Sequence, residues 1–195
     1  QKIYFDCNER KRQNSLQAWS NRIMSELITH TFSSSLYHKD LEPSEKLEEF
    51  CKNYTLKNIS EHNTSFFEPL QKELADLLLP VIKNFFKEVG SKYGYVGMEL
   101  KHTWIQHYET AHSHRIHIHS VFPDDWSFVY YVDCGDDSAE TVFYNYGYPY
   151  IDHGVYKVKP KRGRCVLFPG AMPHEAQPNR EDKRMVISGN LSFTR

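Results

Sequence analysis

Cysteine is scarce: Cys7, Cys51, Cys134 and Cys165 are widely scattered and form no CxxC. That excludes a cysteine-ligated zinc module and argues against a disulfide-stapled miniprotein. The four read as reduced thiols of an intracellular, cytoplasmic protein. No apolar run approaches the roughly 20 residues that span a bilayer, and no signal-peptide pattern is visible. Excess charge is missing as well. Lys and Arg number 24 against 25 Asp and Glu, a formal net charge of -1, so no global field points to nucleic acid or an anionic membrane. Internal repeats, low-complexity tracts and βαβ alternation are all absent, which excludes a solenoid and makes a doubly wound parallel sheet an unlikely plan.

What is present is a folded, aromatic-rich chain of 195 residues, 39% hydrophobic and 14% aromatic, long enough for one substantial core. Its first half has helical texture. A short strand is expected at Lys2–Asp6, then an amphipathic helix over Ser15–Thr31, where Leu16, Trp19, Ile23, Leu27 and Ile28 recur at helical spacing. A second helix should follow Pro43, with Ser44 as N-cap and Leu47, Phe50, Cys51 and Tyr54 inward. A third is expected from Ser65 to Val89, with Phe67 on its inner face, a kink or break at Pro80, and Gly90 ending it. After Gly94 the period drops to two, and seven short runs from ELKHTWIQHY to RMVISGNLSF read as strands of a sandwich or barrel. The expected organisation is one α+β, mainly β domain: a helical support over residues 1–93 packed outside a β-core over residues 94–195.

The chemistry concentrates in QHYETAHSHRIHIHSVF. If HIH is a strand, His117 and His119 share a face, their Cα atoms roughly 6.6 Å apart, and Ile116 and Ile118 point into the packed core. Two imidazoles on one face can hold a metal ion if a third ligand arrives from elsewhere, and His174 in PHEAQP is the candidate. Three such ligands leave coordination positions open, unlike a closed structural zinc site. Asp124 or Asp125 are alternative carboxylate donors, although FPDDW looks like a turn. Parity places Ser188 on the same strand face as Arg184, with Met185, Ile187 and Leu191 opposite.

Several stretches, in order, resemble the 2-oxoglutarate- and Fe(II)-dependent dioxygenases, particularly the prolyl-hydroxylase-like branch: YETAHSHRIHIH, VYYVD, VKPKRGRCVLFPG, PHEAQP with Arg184 beyond it, and RMVISGN. The resemblance covers roughly half the chain, Leu100 to Phe193. It implies a double-stranded β-helix (jelly-roll, cupin-like) core. His117, His119 and His174 would hold Fe(II). Arg184 and Ser188, helped by the phenols of Tyr108 and Tyr131, would hold 2-oxoglutarate. The implied reaction uses O₂ to hydroxylate an aliphatic C–H bond of a protein side chain, prolyl among them, or of a small molecule. His119 departs from the family pattern, which has a carboxylate there. His114 is expected near the site mouth, and Tyr146 and Tyr148, in an aromatic loop with Gly and Pro hinges, are candidate substrate-facing residues. Two rival readings remain: a three-histidine cupin-type dioxygenase that uses no keto acid, and a non-enzymatic interaction protein stapled by metal.

Overall fold

The computed structural model describes residues 34–68, 72–149 and 154–195. The strand expected at Lys2–Asp6 and the helix expected over Ser15–Thr31 lie outside them. In chain order the described elements are β1 (Tyr37–Asp40), α1 (Glu45–Asn53), β2 (Lys57–Asn58), β3 (Asn63–Thr64), α2 (Lys72–Lys92), β4 (Gly97–Tyr108), β5 (His114–His117), β6 (Asp125–Asp133), β7 (Thr141–Tyr144), β8 (Val155–Val158), β9 (Arg164–Pro169), β10 (His174–Ala176) and β11 (Arg184–Thr194).

The strands form two antiparallel sheets. The larger has seven strands in the order β1-β9-β6-β11-β4-β3-β2, and the smaller has four in the order β5-β10-β7-β8. This is the double-stranded β-helix architecture. Alternation along the central strands divides the core in two. Phe128, Tyr130 and Val132 of β6, with Ile187, Leu191 and Phe193 of β11, meet Leu47, Leu78, Ile82 and Phe86 of the helices. Val129, Tyr131 and Val186 face inward with Tyr108, Phe143 and Phe168. The helices therefore cover the outer face of the large sheet and leave the interior to a different set of side chains.

Helix α1 starts as its sequence demands: the Ser44 hydroxyl accepts from Leu47 N at 3.4 Å, and Leu47 and Cys51 are buried. Helix α2 departs from expectation at both ends. It begins at Lys72, so Phe67 precedes it and is 63% exposed. It also runs past Gly90 to Lys92, turning only at Gly94, which has a φ of +76°. Gly90 serves packing instead: a Cβ there would sit 2.8 Å from the Phe193 ring, so the missing side chain lets the helix approach β11. Pro80 splits nothing. It and Asp76, whose carbonyl loses its helical partner, are exposed, so water can serve that carbonyl. Strands β1 to β3, from the first half of the chain, join the large sheet; helix and sheet are not divided at residue 93. Among the described residues Cys51, Cys134 and Cys165 are free thiols, and no helix is long and apolar enough to cross a membrane.

Candidate active site

His117 ends β5, whose partner is β10, and the pairing sets His117 opposite His174. His119 lies beyond the strand, in a bend anchored by its own backbone. The N–H groups of His119 and Ser120 donate to the Gly170 carbonyl at 2.9 and 3.1 Å, and Gly170 N donates to Asp125 O at 2.9 Å. The HIH stretch is thus half strand and half bend. Ile116 and Ile118 are 50% and 47% exposed rather than buried; β5 is the edge strand of the smaller sheet, and the two described helices pack on the larger one.

The potential ligand nitrogens of His117, His119 and His174 lie within 4.8 Å of one another, and the Nε2 atoms of His119 and His174 are 3.2 Å apart. Ligands around one small cation sit roughly 3–3.5 Å apart when each bond is about 2.1 Å, so the set fits a metal. Two rings are oriented in advance. His117 Nδ1 donates to Arg115 O at 2.6 Å and His174 Nδ1 to Met172 O at 2.9 Å, which leaves each Nε2 bare for a cation. Burial holds all three below the ordinary imidazole range: His119 is pushed down to about 4, His174 lies well below its usual value, and His117 is lowered. Asp124 and Asp125 are not alternatives. Asp124 accepts from the Tyr95 hydroxyl at 2.7 Å, and Asp125 accepts from Ser120 and Ser192 at 2.6 and 2.5 Å.

Gly170 is the support of the His119 bend. A Cβ added to it would lie 3.1 Å from Asp125 O and 3.2 Å from Ser120 Cβ. Gly170→Ala should therefore displace that bend and cost about 1–2 kcal/mol. Thermal melts and a metal titration will show both a lower Tm and weaker metal binding if Gly170 acts as described.

An inner cavity adjoins the triad, lined by Trp104, Gln106, Tyr108, Thr141, Arg184 and Ser188. Arg184 is 1% exposed. Its Nη2 donates to Thr141 Oγ1 at 2.7 Å, and its guanidinium carbon lies 4.7 Å from the centre of the Tyr108 ring. Its Nε and Nη1 have no partner. A buried cation with two idle donors is costly and is shaped for a planar anion, above all a carboxylate. Ser188 also lines the cavity, as strand parity requires. Tyr108 offers its ring face to Arg184, and the Tyr131 hydroxyl lies against both the guanidinium and Thr141, to which it is bonded at 2.6 Å. Thr141, Gln106 and His62 are functional candidates that sequence reading missed. Nothing local marks a threonine opening a strand, or a histidine before a two-residue one.

An outer groove of about 400 Å³ shares Trp104, Gln106, His114, His117 and His119 with the cavity and adds Ile59, His62, Phe66, Phe67, Ile118 and Asn190. His114 reaches both spaces because of an irregularity in the sheet. From His117 to His114 takes three steps on β5, against two from His174 to Ala176 on β10. That extra residue reverses the alternation, and the rings of His114 and His117 stack with centroids 4.0 Å apart. Tyr146 and Tyr148 lie partly exposed on the β7–β8 connection, outside both spaces.

Burial pushes His62 from 6.5 down to about 4. The unfolded chain takes up a proton below about pH 6.5 while the fold resists, so this group's contribution is complete above 6.5 and is lost as the pH falls toward 4. Near pH 5 the loss should be about 2 kcal/mol. Comparing melts of wild type and His62→Phe across that range isolates it: the variant's Tm should fall less steeply.

Residues 102–190 match the model of a family described as 2OG-Fe(II) oxygenase. No curated protein matches the chain in sequence. Among solved structures, a Pseudomonas putida prolyl-4-hydroxylase is similar over 84% of this chain and 94% of its own, with 18% identity and a TM-score of 0.60. A Trichoplax adhaerens prolyl hydroxylase, solved with a peptide fragment of the hypoxia inducible factor oxygen degradation domain, is similar over 83% and 84% with 14% identity and a TM-score of 0.59. The α-ketoglutarate-dependent carbocyclase SnoK of nogalamycin biosynthesis is similar over 83% and 80%, with 12% identity and a TM-score of 0.61. At these identities the likeness shows a common fold.

Proposed function

We propose, from the family match over residues 102–190, that the chain is a 2-oxoglutarate- and Fe(II)-dependent oxygenase in which His117, His119 and His174 hold the iron and Arg184 holds the distal carboxylate of 2-oxoglutarate. The observation that carries this is the buried Arg184 guanidinium, with two unpartnered N–H groups in the cavity beside three converging imidazoles. Bound iron supplies the activation of O₂ that couples 2-oxoglutarate decarboxylation to hydroxylation of a C–H bond.

The chain's own residues supply position, charge and shelter. The Arg115 and Met172 carbonyls hold two ligand rings with Nε2 presented. Arg184 offers paired donors for one end of a dicarboxylate, and Thr141 and Tyr108 keep its fork in place. Phe143 and Phe168 pack against the His174 ring, with centroids at 5.8 and 4.6 Å, and shield that ligand from water. The substrate meets the site through the outer groove. Among the described residues that groove carries Ile59, Phe66, Phe67 and Ile118 and no charged side chain, which suits an uncharged aliphatic group such as a prolyl side chain. Fold likeness alone does not choose among substrates or reactions.

A second reading draws support from His119: three neutral ligands also suit a dioxygenase that needs no keto acid. Anaerobic titration of 2-oxoglutarate into the Fe(II) protein separates the two. A metal-to-ligand charge-transfer band that saturates with 2-oxoglutarate is expected. Its absence, with O₂ consumption independent of 2-oxoglutarate, would overturn the proposal in favour of the second reading.

A further inference from the structure

A line of hydrogen bonds runs from the inner cavity to a residue that the catalytic scheme leaves idle. His62 is 2% exposed and precedes β3, outside the strands that carry the triad and Arg184. Its ring packs against Tyr108 and His114, with centroids 4.9 Å away in each case. Its Nε2 lies 2.9 Å from Gln106 Nε2, and Gln106 Oε1 accepts from the Ser188 hydroxyl at 2.7 Å.

An amide has one accepting end and one donating end. With its oxygen turned to Ser188, Gln106 donates from nitrogen to His62. His62 Nε2 must then be bare, with the ring proton on Nδ1. In this polarity the Ser188 proton is spent on Gln106, and only oxygen lone pairs remain for the cavity. That is the wrong sign for a carboxylate. Turning the amide over reverses the whole line: His62 Nε2–H donates to Gln106 Oε1, the amide nitrogen donates to Ser188 Oγ, and the Ser188 proton is free to point into the cavity with Arg184. No charge is gained or lost. One proton leaves Nδ1, which is buried near the Ser113 backbone, and another arrives at Nε2, so the exchange needs a brief opening of the His62 ring toward the outer groove that it lines.

We propose that a dicarboxylate in the inner cavity drives this reversal, so that His62 is a positioning residue which sets the direction of the Ser188 hydroxyl through Gln106. The inference rests on the reading of the cavity as the 2-oxoglutarate site. It joins the two spaces: occupancy of the inner cavity changes the hydrogen-bonding character of an imidazole beside the groove.

The test is nuclear magnetic resonance of the ring nitrogens in protein carrying isotopically labelled histidine and loaded with diamagnetic Zn(II). The His62 signals are assigned by their loss in His62→Phe. On adding 2-oxoglutarate, Nε2 should move from the bare to the protonated range and Nδ1 the opposite way, and Ser188→Ala should abolish the movement. In calorimetry His62→Phe should weaken 2-oxoglutarate about tenfold with Zn(II) affinity unchanged. His62→Gln keeps a group that can accept or donate, and should stay within about threefold of wild type. Binding of 2-oxoglutarate without movement at His62, or a His62 already protonated on Nε2 in the free protein, would overturn the inference and leave the oxygenase reading intact. No binding of 2-oxoglutarate at all would overturn both.

Discussion

Replacing Arg184 with methionine should abolish useful 2-oxoglutarate binding and at the same time make the ligand-free protein harder to melt. The two effects share a cause. Arg184 is 1% exposed, its Nε and Nη1 are unpartnered, and no carboxylate is bonded to it: Thr141, Tyr131 and the Tyr108 ring are its neighbours. Exchanging such a cation for an apolar side chain of similar length is neutral or stabilising, by about 1–2 kcal/mol here, which means a few degrees in Tm. A carboxylate held by two charge-assisted bonds at about 1.5–3 kcal/mol each loses them both, so 2-oxoglutarate affinity should fall on the order of a thousandfold. Calorimetry on wild type and Arg184→Met, with melts of each, reads both quantities. Unchanged affinity would place the cosubstrate elsewhere; a large fall in Tm would mean that the guanidinium braces the fold. In wild type alone, 2-oxoglutarate should raise Tm by binding the native state.

The metal should respond as sharply to its third ligand. Structural zinc sites with four ligands are worth about 10–16 kcal/mol, or roughly 2.5–4 kcal/mol per ligand. His174→Ala should therefore weaken Fe(II) or Zn(II) on the order of a hundredfold to a thousandfold and remove turnover with it. His119→Asp should move the other way. An anionic donor replaces a neutral one, and at the short separations of a metal site one unit of charge is worth about tenfold or more. A metal titration of the three proteins, with circular dichroism to confirm folding, decides it. Equal affinity in wild type and His174→Ala would remove His174 from the metal site.

Much of this was legible before any coordinates. The HIH pair and His174 meet, though their separation in sequence is more than fifty residues. Arg184 and Ser188 share the inner face as parity required, and Ser44 caps α1. These readings succeed where a residue type and a local period carry the information. Ile116 and Ile118 failed because alternation cannot say which face a barrel turns inward, and β5 lies at the edge of its sheet. Gly90 failed because a helix-ending glycine and one that admits Phe193 look the same in sequence. His62 was invisible for a third reason: its partners Tyr108 and Gln106 lie more than forty residues away, and no periodic pattern announces it.

The single surplus residue in β5 leaves the active site unusually exposed to small changes of register. Smoothing that bulge with the sequence intact would set Arg115, in place of His114, opposite Ala176. His114 would then turn its ring outward while His117 kept its place opposite His174. The metal would stay and the groove would lose one wall, so a one-residue slip of register would redraw substrate preference without touching a ligand.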